Sequence, residues 1–172
     1  MNPVIETERM ILSPVSASDA SELHRIWIQP AVRKYLCDDL IWPLNQIQST
    51  VEQSAIAFQE GRYGMWIARL KSQEAMVGFT GFWPFFDPPD IQLIYGLASA
   101  NWGKGLATEM GQAMLDYGFQ TYGFARIRAS CNVPNTASIA VMERLGMTFL
   151  KQEAIDGQEI IFYEAQKTAS AK

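Results

Sequence analysis

Trp102-Gly103-Lys104-Gly105-Leu106-Ala107-Thr108-Glu109 reads as a glycine-rich turn opening into a helix, and the residues before it, Ile91 to Leu97, read as an apolar strand. A passage of this kind aims several backbone N–H groups in one direction. The first N–H groups of a helix have no intrahelical acceptor, and the helix dipole adds partial positive charge at that end. The combination suits a phosphate. Gly103 and Gly105 permit positive φ and close approach of a ligand, Ala107 keeps the first helical turn narrow, and Lys104 adds charge at the rim. The turn is not a P-loop, because the spacing and the Gly-Lys-Ser/Thr ending are absent. Nor is it G-x-G-x-x-G, because Thr108 holds the last place. From the turn alone, a ligand-free strand-to-helix connection is an equally good explanation.

Outward from the turn, the chain alternates strand and helix patterns. Glu8 to Pro14 reads as a first strand, and Ser16-Ala17-Ser18-Asp19 supplies helix-start residues. Leu23, Ile26 and Trp27 then recur at helical spacing, Pro30 marks the end of that helix, and Ala31 to Leu36 adds a short further turn. Leu44 to Glu60 is helical and closes at Gly61. Met65 to Leu70 and Met76 to Phe82 read as strands joined at Lys71 to Glu74, and Phe85 to Asp90 as a connection to the strand Ile91 to Ala98. The helix Gly105 to Tyr122, the strand Arg126 to Cys131 and the helix Asn135 to Leu145 follow. Met147 to Ile155 and Gln158 to Ala165 form a last pair, turned at Asp156-Gly157.

The 172 residues are of ordinary globular composition, 48% hydrophobic and 19% charged, and the formal net charge is −4. That balance gives no electrostatic footprint for nucleic acid. No stretch reaches membrane-spanning length and no signal peptide is evident. Cys37 and Cys131 lie far apart in sequence, so both are expected reduced, in a cytoplasmic protein. With a single histidine, His24, a metal site has little support.

A second segment gives the glycine turn its context. Asn132-Val133-Pro134-Asn135-Thr136-Ala137-Ser138 follows the Arg126–Cys131 strand, with Asn135 placed as an N-cap and Ser138 in the first helical turn. Capping alone explains Asn135, but not its pairing with a glycine turn one β-α unit earlier. Thr7-Glu8-Arg9-Met10-Ile11-Leu12, Val77-Gly78-Phe79-Thr80-Gly81-Phe82, Trp102 to Glu109, and Asn132 to Met147 together resemble the GNAT superfamily of acyl-CoA-dependent N-acetyltransferases. Within it, the chain resembles the ribosomal-protein-alanine acetyltransferase branch.

The resemblance implies an α/β fold with a mixed, mostly antiparallel central sheet of about seven strands, flanked on both faces by about four helices. It implies one acetyltransferase domain over residues 1–168 with a flexible tail at 169–172. It also implies acetyl-CoA as co-substrate. The pyrophosphate would lie on Trp102, Gly103, Lys104, Gly105, Leu106 and Ala107, with Thr108 adding a hydroxyl. The pantetheine arm would run along Leu97, Ala98 and Ser99, and would meet Asn135, with Asn132 as a supporting loop residue. The reaction implied is direct transfer of an acetyl group to a primary amine, on a protein N-terminus, an amino acid or a small molecule. The partners implied are acetyl-CoA and that amine, with neither nucleic acid nor membrane, and the chain is expected to act as a monomer or homodimer.

Two positions depart from the pattern. Many relatives carry Tyr four residues after Ser138 as proton donor to the leaving thiolate, and this chain has Met142. Ser138 is the remaining candidate, and is taken as the catalytic residue. Many relatives carry Glu on the strand before the turn, and this chain has Gln92, which cannot accept a proton. The departures leave a non-catalytic acyl-CoA-binding or sensor domain as the alternative. A nucleotide-binding or structural module is a third reading, one that does not account for Asn135 to Gly146. Trp27, Tyr35, Trp42, Trp66, Trp83, Phe85 and Phe86 divide between core and acceptor pocket in a way the sequence does not sort, and Asp38 and Asp39 read as loop carboxylates.

Overall fold

The computed structural model describes residues 3–86 and 88–168. The expected tail at 169–172 lies outside the described residues. In chain order the elements are β1 (Ile5–Glu6), β2 (Met10–Pro14), α1 (Ala20–Trp27), α2 (Pro30–Leu36), α3 (Leu44–Gln59), β3 (Met65–Leu70), β4 (Met76–Phe85) and β5 (Asp90–Leu97). Then come α4 (Leu106–Gln120), β6 (Arg126–Asn132), α5 (Thr136–Arg144), β7 (Thr148–Ile155) and β8 (Gln158–Gln166). Short 3-10 turns at Ala17–Asp19 and Ser99–Asn101 lead into α1 and toward α4.

The α/β class and the mostly antiparallel sheet are as the resemblance implies, but among the described residues the counts rise to eight strands and five helices. The extra strand is β1, a two-residue piece that pairs Ile5 with Leu12. The extra helix is α2. Pro30 opens it at the first helical position, where its missing N–H costs nothing, rather than closing α1. Strand β4 also runs on to Phe85, pairing with Asp90 at the head of β5. The entry to α1 is held by Asp19, whose carboxylate accepts from Ser16 N at 2.8 Å and Ser16 Oγ at 2.7 Å.

The strand order is β1-β2-β3-β4-β5-β6-β8-β7. Every pair is antiparallel except β5 with β6, which run parallel and share the single register pair Gln92↔Arg128. Beyond that pair the two strands separate, and among the described residues β5 has no strand on its β6-side edge as it approaches the glycine turn.

Side chains of the central strands alternate between two cores, as the two-residue period of a strand requires. Trp66 and Ala68 point with Phe82, Leu93 and Leu97 to the face covered by Leu106, Met110 and Met114 of α4. Met65, Ile67 and Phe79 point to the opposite face, under Leu23, Ile26 and Trp27 of α1 and Ile47 and Val51 of α3. Burying both faces explains why β3 and β4 read as nearly continuous apolar runs rather than alternating ones. Among the described residues no helix is long and apolar enough to cross a membrane.

Candidate active site

The glycine turn joins the open end of β5 to α4. Gly103 and Gly105 both sit in the left-handed region, at φ 72° and 75°. Among the described residues, chain neighbours aside, nothing lies within 4 Å of where a Cβ at Gly103 would be, and only Arg9 Nη2, at 3.5 Å, approaches that of Gly105. It is backbone conformation, rather than lack of room, that calls for glycine here. Among the described residues the N–H groups from Gly103 through Thr108 donate to no protein acceptor, and the first to do so is Glu109, to Gly105 O at 3.0 Å. A contiguous set of free donors at a helix N-terminus suits a phosphate group.

The turn is braced from the far end of the chain. Glu109 accepts from Thr7 Oγ1 at 2.5 Å, Arg9 N at 2.8 Å and Arg9 Nε at 2.6 Å. Arg9 Nη1 also donates to Lys104 O at 2.8 Å. Lys104 Nζ donates to Ala100 O at 3.0 Å, which folds its charge over the turn.

Along β5 the backbone is partly committed. Ala98 N donates to Val77 O at 2.8 Å. Because N–H direction alternates along an antiparallel strand, the Leu97 N–H faces the other edge, into the gap between β5 and β6. The Leu97 carbonyl faces the same gap and accepts from Trp102 Nε1 at 2.9 Å, which holds the half-exposed indole at the gap's mouth. Ser99 turns away: its N and Oγ both donate to Gln29 Oε1, at 2.9 and 3.0 Å.

The other wall of the gap is β6 and the start of α5. Asn135 caps α5 as expected, its side-chain oxygen accepting from Ser138 N at 3.3 Å. That bond commits the oxygen and leaves the amide N–H2 for a ligand. Asn132 points elsewhere. Its side chain donates to Gln158 Oε1, and Gln158 Nε2 donates to Asp38 Oδ1 at 3.2 Å. The β7–β8 hairpin is thereby tied to the loop between α2 and α3.

Ser138 Oγ lies 2.8 Å from the Tyr95 hydroxyl, which also donates to Ser138 O at 3.1 Å. Tyr95 was read only as a strand residue. Two positions before Leu97, it shares that residue's sheet face, and this period-two relation is the signal that places a phenol opposite α5. Burial raises the Tyr95 pKa well above the ordinary phenol value, against the opposing effect of the Ser138 hydrogen bond, so the ring carries its proton at neutral pH.

Met142 is fully buried in the core below α5. Gln92 is also buried, bridging the strands by accepting from Ser130 Oγ at 2.6 Å and donating to Asp90 Oδ2 at 3.2 Å. His24 Nε2 lies 2.9 Å from Trp42 O, a brace for the α2–α3 loop. Asp39 pairs with Arg33 at 2.9 Å. Of the aromatic residues, Trp27 and Trp66 are core, whereas Phe85 and Phe86 are exposed.

A family model described as an acetyltransferase (GNAT) domain matches residues 9–148. The uncharacterized N-acetyltransferase p20 of Bacillus licheniformis is 29% identical over 141 residues, 81% of this chain and 79% of that protein. Among solved structures, a GNAT-family acetyltransferase from Bacillus anthracis has TM-score 0.80 and 22% identity, covering 95% of this chain and 98% of its own. The ribosomal L7/L12 alpha-N-protein acetyltransferase RimL, solved in complex with coenzyme A, has TM-score 0.80 and 19% identity, covering 95% and 98%. The chain belongs to the GNAT acetyltransferase family and is an N-acetyltransferase. Membership of an enzyme family does not favour the non-catalytic alternative.

Proposed function

We propose that this enzyme moves the acetyl group of acetyl-CoA directly to a primary amine held at the gap between β5 and β6. The observation that carries the reading is the unbroken set of free N–H donors from Gly103 through Thr108, standing at the end of a strand edge with no partner strand. Those donors hold the pyrophosphate, and the Asn135 amide meets the pantetheine arm. The Leu97 N–H faces the gap, where it donates to the oxygen that gains charge as the amine attacks. Ser138 Oγ donates a hydrogen bond to the departing sulfur. The amine must arrive uncharged, and Gln92 supplies no base. The free thiols Cys37 and Cys131 suit a reducing compartment, the cytoplasm.

The relatives direct the choice of acceptor. RimL is titled an alpha-N-protein acetyltransferase, so peptide N-termini are the first acceptors to offer. Calorimetric titration with acetyl-CoA is expected to show binding, and the absence of both heat and thermal shift would reject the cofactor assignment. CoA-thiol release is then followed across an amine panel that includes peptides beginning with Ala or Ser. Ser138→Ala is expected to lower kcat by about a hundredfold with acetyl-CoA affinity little changed. An unchanged kcat removes Ser138 from the chemistry.

A further inference from the structure

We infer that Tyr95 is a positioning residue for acetyl transfer, one that turns the Ser138 hydroxyl hydrogen toward the departing sulfur. The inference rests on the reading of Ser138 as donor to that sulfur. The argument is one of proton counting. The Tyr95 hydroxyl has one hydrogen and two acceptors on the same residue, Ser138 O at 3.1 Å and Ser138 Oγ at 2.8 Å. When the phenol donates to the carbonyl, its oxygen is free to accept from Ser138 Oγ, and the serine hydrogen then points at the ring. When the phenol donates to Oγ, the serine hydrogen is released and can point into the gap. Negative charge growing on sulfur favours the second arrangement. The switch is a rotation of two hydroxyl hydrogens, with no bond between heavy atoms made or broken and no proton lost from Tyr95.

The surroundings hold both partners still while the hydrogens turn. Ser138 is pinned at its N–H by the Asn135 side chain in both arrangements. The Tyr95 ring packs against the core beneath α4 and α5. Met142, where a tyrosine on α5 would stand, is fully buried and has no hydrogen to give. The phenol is therefore supplied from the strand side of the gap rather than from the helix. Burial disfavours tyrosinate, so Tyr95 acts as a lasting hydrogen-bond donor and not as a net proton source. The other titratable group that the phenol senses is the Cys131 thiol on β6, which also neighbours the Ser138 hydroxyl; burial pushes it up to about 11 against the opposing effect of the Ser138 hydrogen bond, so it stays protonated alongside the pair.

The test uses the whole protein with coenzyme A as probe, so it requires no knowledge of the acceptor. Thiolate absorbance of bound coenzyme A is titrated in wild type, Tyr95→Phe, Ser138→Ala and the double variant. Each titration is corrected by the same protein without ligand. The bound thiol is expected to ionise at lower pH than free coenzyme A in wild type. Either single variant moves that ionisation back toward the free value, and the double variant moves it no further than Ser138→Ala alone. Turnover of acetyl-CoA is expected to show kcat down about tenfold in Tyr95→Phe at unchanged KM. A Ser138→Ala shift combined with wild-type ionisation in Tyr95→Phe overturns the inference while sparing the role of Ser138. Shifts that add fully in the double variant overturn it as well, because Tyr95 would then act independently. No shift in Ser138→Ala rejects the serine role and this inference with it. A Tyr95→Phe protein that loses melting temperature but keeps the wild-type ionisation assigns the phenol to packing, and again overturns it.

Discussion

Arg9 Nε stands 2.6 Å from Glu109 Oε2, joining the start of the chain to the first turn of α4 across 100 positions of sequence. The Arg9 side chain is 44% exposed, so the charge attraction itself is worth little in solvent. What matters is that one carboxylate gathers Thr7 Oγ1, Arg9 N and Arg9 Nε, while Arg9 reaches on to Lys104 O inside the glycine turn.

Glu109→Gln is therefore expected to loosen the turn and weaken acetyl-CoA binding by about tenfold, measured by calorimetry. The effect on stability depends on pH. Burial pushes the Glu109 carboxyl up, but the hydrogen bonds from Thr7 and Arg9 and the Arg9 charge outweigh it and hold the group below its usual range. A folded-state value below the unfolded one means stabilisation that is present above the ordinary glutamate value of about 4.3 and is lost as pH falls through the lowered value. The melting difference between wild type and Glu109→Gln should shrink in acid. A difference independent of pH would show that the carboxylate contributes no linkage.

Gly105→Val tests the turn itself. At φ 75° a side chain with a Cβ is strained by about 1–2 kcal/mol, and a β-branched one by more, although space is open there. The variant is expected to fold with a lower melting temperature and to lose acetyl-CoA binding. Wild-type affinity would mean that the phosphate lies elsewhere.

At Asn135 two functions can be separated by choice of substitution. Asn135→Ala removes the cap on Ser138 N and should cost about 1 kcal/mol of stability as well as cofactor affinity. Asn135→Asp keeps a capping oxygen but has no amide N–H2. It should melt near wild type and still bind acetyl-CoA poorly. Equal affinity in Asn135→Asp and wild type would reduce the residue to a cap.

In the proposed mechanism Gln92 supplies no base, and deprotonation of the acceptor falls to solvent. For a peptide acceptor, kcat/KM is expected to rise with pH through the amine's own ionisation, about 8, and then level off. A profile whose rising limb is centred near pH 6 would reveal a side-chain base.

The glycine turn and the α5 cap were legible because their residue types answer local backbone needs: positive φ at Gly103 and Gly105, and an orphan N–H at Ser138. No residue type marks where two parallel strands part, so the parting of β5 from β6 is implied by the family resemblance and not by the residues themselves. Pro30 misled because proline favours the first position of a helix as readily as the stop before one. Strand β1 was missed because two residues show no period. No local sequence pattern gives Tyr95 or Arg9 its role, for a shared reason: each acts on a partner distant in sequence, Ser138 and Glu109, and only the fold makes them neighbours. Asn132, expected as a supporting residue of the cofactor loop, has its side-chain amide on Gln158, a partner distant in sequence.

The parting of β5 and β6 has a thermodynamic consequence. The strands beyond it, β6, β8 and β7, join the rest of the sheet through the single register pair Gln92↔Arg128. Under the proposed function, acetyl-CoA in the gap would supply the missing ladder, so that binding and completion of the sheet become one event. Stability is then set by occupancy: a co-substrate at 100 times its Kd adds about 2.7 kcal/mol. The melting temperature of the ligand-free chain is accordingly a lower bound on its stability during turnover.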